Sequence, residues 1–368
     1  MWGRILALII KEFLAILRDP RGRLVIVVPP ILQLFVFSYA ATLEVTNVDI
    51  VILNRDSGKW GHELIQRIEG TPYFRRLVRT DDEKVLHDLV DRQEVIAALQ
   101  IGPDFSRAIG AGKAGDVQII LDGRRSNASQ IVAGYLNQII AGLAADLASP
   151  RQRAASVTIV PRNWFNPNLT YIWFTVPSLV AIIALLIGLI VTALSVARER
   201  ELGTFDQLMV SPLRTHEILI GKLTPPMLIG LFHITIYVLM AVFYFEIPLR
   251  GSLFLLYGSA LFYLASVVGI GLFISSLSMT QQQAILGAFV FMVPAVLLSG
   301  FATPIENMPG WLQPVTYVNP LRYFLVVVKG VFLKDIPLSE VIHNTAPLAL
   351  IAAFTLSAAA WLFRSRLE

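Results

Sequence analysis

Cysteine is absent from the 368 residues, which excludes a disulfide frame, a thiolate zinc site and a thiol nucleophile. Charge is scarce too. Asp, Glu, Lys and Arg supply 15% of the chain and hydrophobic residues 55%, whereas soluble domains carry about a quarter charged residues. With a mean hydropathy of +0.65, much of the surface must face something other than water. The phosphate loop G-x-x-x-x-G-K-[ST] is missing: Gly112-Lys113 runs into alanine and Gly221-Lys222 into leucine, so no cradle for ATP phosphates is encoded. Metal-ligand spacing such as H-E-x-x-H is missing as well; His62/Glu63 and His87/Asp88 come nearest and read as solvated surface. No catalytic residue, metal site or bound cofactor is expected, and no enzymatic activity. The net charge of +4 gathers at the ends of apolar runs, which bilayer orientation explains better than nucleic acid.

Six apolar runs are present, at 24–43, 171–197, 223–245, 252–277, 283–302 and 345–363. Crossing a bilayer takes roughly 20 apolar residues, and a lipid-exposed span must be helical to satisfy its own backbone. Pro29-Pro30 predicts a kink or a late helix start in the first run. Inside the runs His233 is the clear titratable residue, and it reads as a hydrogen-bonded packing residue. That scarcity excludes the carboxylate relay of a proton- or ion-coupled carrier. Arg4, Lys11, Arg18, Arg21 and Arg23 precede the first run. Arg198, Arg200, Arg214 and Lys222 follow the second, and Arg364 and Arg366 end the chain. The opposite side offers Arg250. This asymmetry predicts six spans with both termini cytoplasmic. A signal peptide cleaved after Ser38-Tyr-Ala40 is the competing reading, disfavoured by the long charged region before it.

The expected fold class is an α-helical integral membrane protein: six transmembrane helices, an N-terminal interfacial helix and an α/β extracytoplasmic domain between the first two spans. Residues 1–23 hold the interfacial helix, with Arg4, Lys11 and Arg18 recurring every seven residues toward lipid head groups. Ile5, Leu6, Ile9, Phe13, Ile16 and Leu17 form its apolar side. Asp19-Pro20 predicts a break before the first span at 24–43. The polar block 44–168 alternates strand-like Val48–Leu53, Phe74–Val78, Val95–Ile101, Val117–Leu121 and Val157–Val160 with helix-like Gly61–Ile68, Asp82–Val90 and Asn127–Leu147. Within it Gly110–Gly115 matches G-x-G-x-x-G but precedes a strand, so a turn is expected rather than a dinucleotide site. The second span fills 169–197, a cytoplasmic loop 198–222, and the third to fifth spans 223–245, 252–277 and 283–302. Segment 303–344 carries Pro304, Pro309, Pro314 and Pro320 before an apolar stretch containing Arg322 and Lys329. Two short re-entrant helices are predicted there, ahead of the last span at 345–363 and a cytoplasmic tail at 364–368. A seventh span would put the basic tail outside.

The loop 198–222 contains "GTFDQLMVSP". Phe205, Leu208 and Met209 form an apolar stripe at helical spacing, with Asp206 and Gln207 off it and Pro212 as the stop. Two readings stand: a helix resting on lipid, or a knob for a cytoplasmic partner's groove.

"RERELGTFDQLMVSPLRTHEILIGK" (198–222) resembles the cytoplasmic signature of ABC-2 type transporter permeases, the membrane subunits of type V ABC exporters. "KEFLAILRDPR" (11–21) resembles that family's interface helix. "PDFSRAIGAGKAGDVQIILDG" (103–123) is similar to the outer domain of the subgroup with a large first external loop, bacterial multidrug and small-molecule exporters. "TPIENMPGWLQPVTYVNPLRYF" (303–324) resembles the segment before its last span. The resemblance implies two permease chains, identical or not, with two ATPase subunits that carry ATP and Mg. A periplasmic adaptor is implied for some relatives, and an inner-membrane location for all. It implies ATPase coupling through Glu201, Gly203, Thr204, Phe205, Gln207, Leu208, Met209 and Pro212, with Lys11, Glu12 and Arg18 from the first helix. Hydrophobic or amphipathic cargo is expected to pass between protomers along the second and fifth spans, beside Tyr171, Phe174, Thr175, Ser178, Phe291 and Ser299. A lipid or polysaccharide exporter of the same superfamily and a membrane-anchored sensor are the alternatives.

Overall fold

The structure is a computed structural model that describes residues 2–18, 20–40, 47–147, 165–166, 170–204 and 213–365. It divides into two compact units, Thr42–Pro161 and a larger one of Met1–Ala41 with Arg162–Glu368.

In the smaller unit, strands β1 (Val48–Asn54), β2 (Phe74–Thr80), β3 (Ala97–Ile101) and β4 (Val117–Leu121) form one sheet in the order β2-β1-β3-β4. β1 pairs parallel with both β2 and β3, and β4 closes the edge antiparallel to β3. The central strand is apolar on both faces, which a strand covered from both sides requires. Val48, Ile50 and Ile52 pack with helices α3 (Lys59–Glu69) and α6 (Ser126–Leu147) on one face, together with Phe105 of α5 (Phe105–Gly110). Val51 and Leu53 pack with Leu86 of α4 (Glu83–Asp91) on the other. Every predicted strand and helix here is observed within a few residues, save Val157–Val160, which lies outside the described residues. α5 was not anticipated. The Gly110–Gly115 run joins α5 to β4, with Gly112 at φ +69°.

The larger unit is helical. α1 (Trp2–Arg18) and α2 (Pro20–Ala40) flank Asp19. α2 opens on Pro20, where a missing N–H costs nothing, and runs through Pro29-Pro30 rather than starting after them. α7 (Tyr171–Glu201) is the hub, packed against α2, α8 (Thr215–Phe243), α9 (Leu253–Leu277), α10 (Gln281–Leu297) and α11 (Pro320–Lys329). Its apolar residues run all round the helix, as burial on every side demands. Thr192 Oγ1 donates back to the Gly188 carbonyl at 2.6 Å, so its polar group costs little inside the bundle.

Among the described residues four helices are long and apolar enough to cross a membrane: α7, α8, α9 and α12 (Leu338–Ser365). The fifth predicted span is shorter as observed, at Gln281–Leu297, while α2 carries the apolar stretch Val27–Tyr39 of the first. Seventeen helical residues reach only about 25 Å, short of a bilayer's ~30 Å core. The fifth run ends early because Gly300 takes φ +85° and turns the chain. The last span begins at Leu338 rather than 345.

Segment 303–344 departs from two short helices. It holds 3-10 turns at Ile305–Asn307 and Gln313–Val318, then α11, then a π-helical turn at Gly330–Lys334. Leu321, Phe324, Leu325, Val327 and Val328 of α11 are core residues. Phe324 stacks on Tyr263 of α9 at 4.2 Å between ring centroids.

Candidate functional site

The run Arg198-Glu-Arg-Glu201 ends α7, and three of these side chains reach four neighbouring helices. Glu199 turns toward α1 and α8. Arg200 Nη1 donates to the Ser276 and Ser278 carbonyls at 2.8 and 3.0 Å; a cation at the C-terminus of α9 is the favourable polarity. Glu201 Oε2 accepts from the Gln281 N–H at 2.9 Å and from Gln281 Nε2 at 3.2 Å, an anion at the N-terminus of α10. One turn of helix therefore fastens four others.

Lys222, in the second turn of α8, has a side chain with no solvent exposure. Its Nζ lies 3.1 Å from Glu12 Oε1 and 2.6 Å from Glu199 Oε2, and donates to Ser195 Oγ at 3.3 Å. Ser195 Oγ in turn donates to Glu12 Oε2 at 3.4 Å. Lys11 Nζ pairs with Glu199, and with Glu12 Oε1 at 3.3 Å. Two lysines and two glutamates close a neutral cluster joining α1, α7 and α8. Burial alone would lower the Lys11 pKa; its hydrogen bond to Glu199 and the two carboxylates overcome that and raise it. Charges withdrawn from water in this way are costly unless each is paired, so the three helices are held to one arrangement.

Packing sets the same contact. Leu8 of α1 lies against Gly221 of α8, where a Cβ would overlap its side chain. Leu8 shares a core with Val196, Ile218, Leu272 and Ala359. Ile5, Leu8 and Glu12 are the buried face of α1 while Leu6, Ile10 and Leu14 are exposed. This corrects one expectation: Lys11 faces Glu199 rather than lipid head groups. Two carboxylates outcompete head groups for an ammonium, and Glu199 comes from sequence-distant α7.

After α7 the chain turns by a Schellman motif. Gly203 takes φ +70°, Gly203 N–H reaches the Arg200 carbonyl at 3.0 Å and Thr204 N–H the Glu199 carbonyl at 2.9 Å. Phe205, Gln207, Leu208, Met209 and Pro212 lie outside the described residues. Arg18 is exposed in the last turn of α1. Of the coupling residues read from sequence, Lys11 and Glu12 share the cluster and Glu201 follows Glu199 by two residues. Ser195, Glu199 and Lys222 were missed. Ser195 and Glu199 are four residues apart on one helix face, a legible pairing; nothing local links either to Glu12.

At the opposite end of α7, the Tyr171 and Phe174 rings lie 6.3 Å apart, and Phe174 stacks on Phe301 at 6.0 Å. Thr175, Ser178 and Ser299 are buried. Ser178 and Ser299 donate to the Phe174 and Val296 carbonyls at 2.7 Å each. Phe291 is half-buried against the main core. His233 Nδ1 lies 2.8 Å from the Ile229 carbonyl, as a packing histidine does. Among the described residues no three His, Asp or Glu side chains come together as a metal site.

Comparison with known proteins identifies relatives along the whole chain. Residues 23–361 match the model of the family described as ABC-2 family transporter protein. The chain is 44% identical over 366 residues to the Escherichia coli K12 protein named "Probable multidrug ABC transporter permease YbhR", covering all of both. It is 32% identical to "Probable multidrug ABC transporter permease YbhS" of the same organism, over 93% of this chain and 92% of that one. The E. coli "Inner membrane transport permease YhhJ" is 29% identical over 64% of each.

Proposed function

The chain belongs to the ABC-2 transporter family, as a transport component rather than an enzyme, and we propose that it is the membrane subunit of an ATP-driven exporter. The observation carrying the proposal is the Lys11–Glu12–Glu199–Lys222 cluster, in which Glu12, Glu199 and Lys222 are buried. It ties α1, α7 and α8 together next to where the chain enters residues 205–212. A partner that pushes on that stretch or on α1 displaces three helices as one body. In this reading Phe205, Leu208 and Met209 dock on a separate ATPase that holds ATP and Mg, with Gln207 and Pro212 framing the helix. Glu201, Gly203, Thr204 and Arg18 border the contact.

Six spans follow if α2 and α10 complete the four longer ones. Both termini and 198–222 then face the cytoplasm and 44–168 faces outward from an inner membrane. The relatives' names favour small drug-like cargo, moving between two copies of the chain along α7 and α10. Tyr171, Phe174 and Phe291, which are not fully buried, are better placed for contact than Thr175, Ser178 and Ser299. An adaptor on the outer side fits the same arrangement.

Purifying the tagged chain from native membranes is the test. An ATPase subunit is expected to accompany it, and Leu208→Asp is expected to remove permease-dependent ATP hydrolysis from the reconstituted complex. Hydrolysis equal to wild type would refute the coupling role.

A further inference from the structure

The cations that the helical unit draws out of water are matched almost throughout. Lys222 sits between two glutamates. Arg200 donates to two carbonyls, Lys334 pairs with Glu340 at 2.9 Å, and Arg322 donates to Thr316 Oγ1 and lies over Tyr317. Lys329 differs. Its Nζ lies 3.9 Å from the centroid of the Phe174 ring, and among the described residues no carboxylate pairs with it. A cation–π contact contributes about 0.5–2 kcal/mol, less than an ion pair restores to an ammonium drawn off water.

The position is held firmly. Lys329 ends α11, whose inner face is core. The π-helical turn Gly330–Lys334 follows at once, a feature frequent at functional sites. That turn is pinned by Gly251 N–H to the Val331 carbonyl at 2.7 Å and by Arg250 N–H to the Phe332 carbonyl at 3.2 Å. Beneath the ammonium lie the stacked rings of Phe174 and Phe301 with Tyr171 alongside. Phe174 and Glu199 are 25 residues apart on α7, so the site is roughly 37 Å along that helix from the charged cluster.

We propose that Lys329 and the Phe174–Phe301 stack bind an acidic amphiphile, the ammonium meeting its carboxylate or phosphate and the rings its apolar body. Calling that molecule cargo rests on the exporter reading. On that reading the site lies at the end of the path remote from the ATPase, where cargo is held before release.

Binding of tritiated 2-naphthoate to the full chain in phosphatidylcholine nanodiscs tests this, with the neutral 2-naphthamide as comparison. Wild type is expected to prefer the acid about tenfold, the size of one charge-assisted hydrogen bond. Lys329→Gln is expected to erase the preference for acid over amide, and Lys329→Arg to keep it. Adding phosphatidylglycerol separates the sources: displacement of naphthoate from wild type assigns the acidic group to a lipid headgroup, and no displacement assigns it to cargo. Equal affinity of wild type for acid and amide overturns the proposal. So does an undiminished preference in monodisperse Lys329→Gln. Because binding is read on the chain alone, failure here leaves the exporter reading standing, and absence of a co-purifying ATPase removes that reading without touching the binding result.

Discussion

Two buried carboxylate networks, one in each unit, solve the same problem by different means. In the smaller unit Asp56 follows β1. Its Oδ2 accepts from Ser106 Oγ at 2.5 Å and Gly61 N–H at 3.2 Å, and its Oδ1 from Ser106 N–H at 3.2 Å. Ser106 Oγ also accepts from Trp60 N–H at 2.9 Å. One carboxylate thus caps both α3 and α5 at the ends of adjacent parallel strands, where doubly wound sheets bind ligands. The protein's own anion occupies that place, and a Cβ on Gly61 would come within 2.6 Å of it. Neutral donors, mostly backbone, compensate Asp56. In the helical unit Glu12 and Glu199 are compensated by lysines from separate helices. Fixed backbone donors make a staple. Cations on movable helices make a joint that holds while charges stay matched.

The largest expected effect breaks the joint. Lys222→Met leaves Glu12 and Glu199 with only the half-exposed Lys11 between them and is expected to cost about 3–5 kcal/mol, read as a fall in thermal stability of the solubilised chain. Adding Glu12→Gln and Glu199→Gln should restore most of that stability. The restored protein is still expected to lack permease-stimulated ATP hydrolysis, which separates holding the helices from transmitting motion.

Breaking the staple is expected to matter less and to stay local. Asp56→Ala should cost about 1.5–3 kcal/mol, seen as faster amide exchange at Trp60, Gly61 and Ser106. Burial alone would raise the Asp56 pKa; the Ser106 and Gly61 donors hold it below its ordinary 3.8. Its contribution is therefore complete above that value and fades as pH falls through the lower folded value. Protection of the same amides should persist at pH 5 and drop below about pH 3.8, and in Asp56→Asn the drop should vanish. The smallest effect concerns the exit from α7. Gly203→Ala places a side chain at φ +70°, a cost of about 1–2 kcal/mol visible as faster exchange at Thr204.

These contrasts explain what the sequence revealed. β1 to β4 were legible because their apolar residues and turns are local signals, and long apolar runs marked the buried helices α7 and α9 equally well. Legibility failed where a partner is distant along the chain. Glu12 and Lys222 are 210 residues apart, so α1 looked like a helix facing lipid on its lysine side. Lys329 looked like a charge spoiling a short apolar run, since Phe174 and Phe301 reach it only through the packing of α11. Gly300 and the π-helical turn redirected two segments that composition alone marked as continuous.

Cysteine's absence makes the most direct test simple. In native membranes, Leu208→Cys is the chain's single thiol and takes a short bifunctional cross-linker without background. An adduct with the accompanying ATPase subunit is the predicted result. A thiol that reacts with a lipid-soluble reagent yet gives no adduct with the co-purified ATPase would contradict entry of energy through this corner.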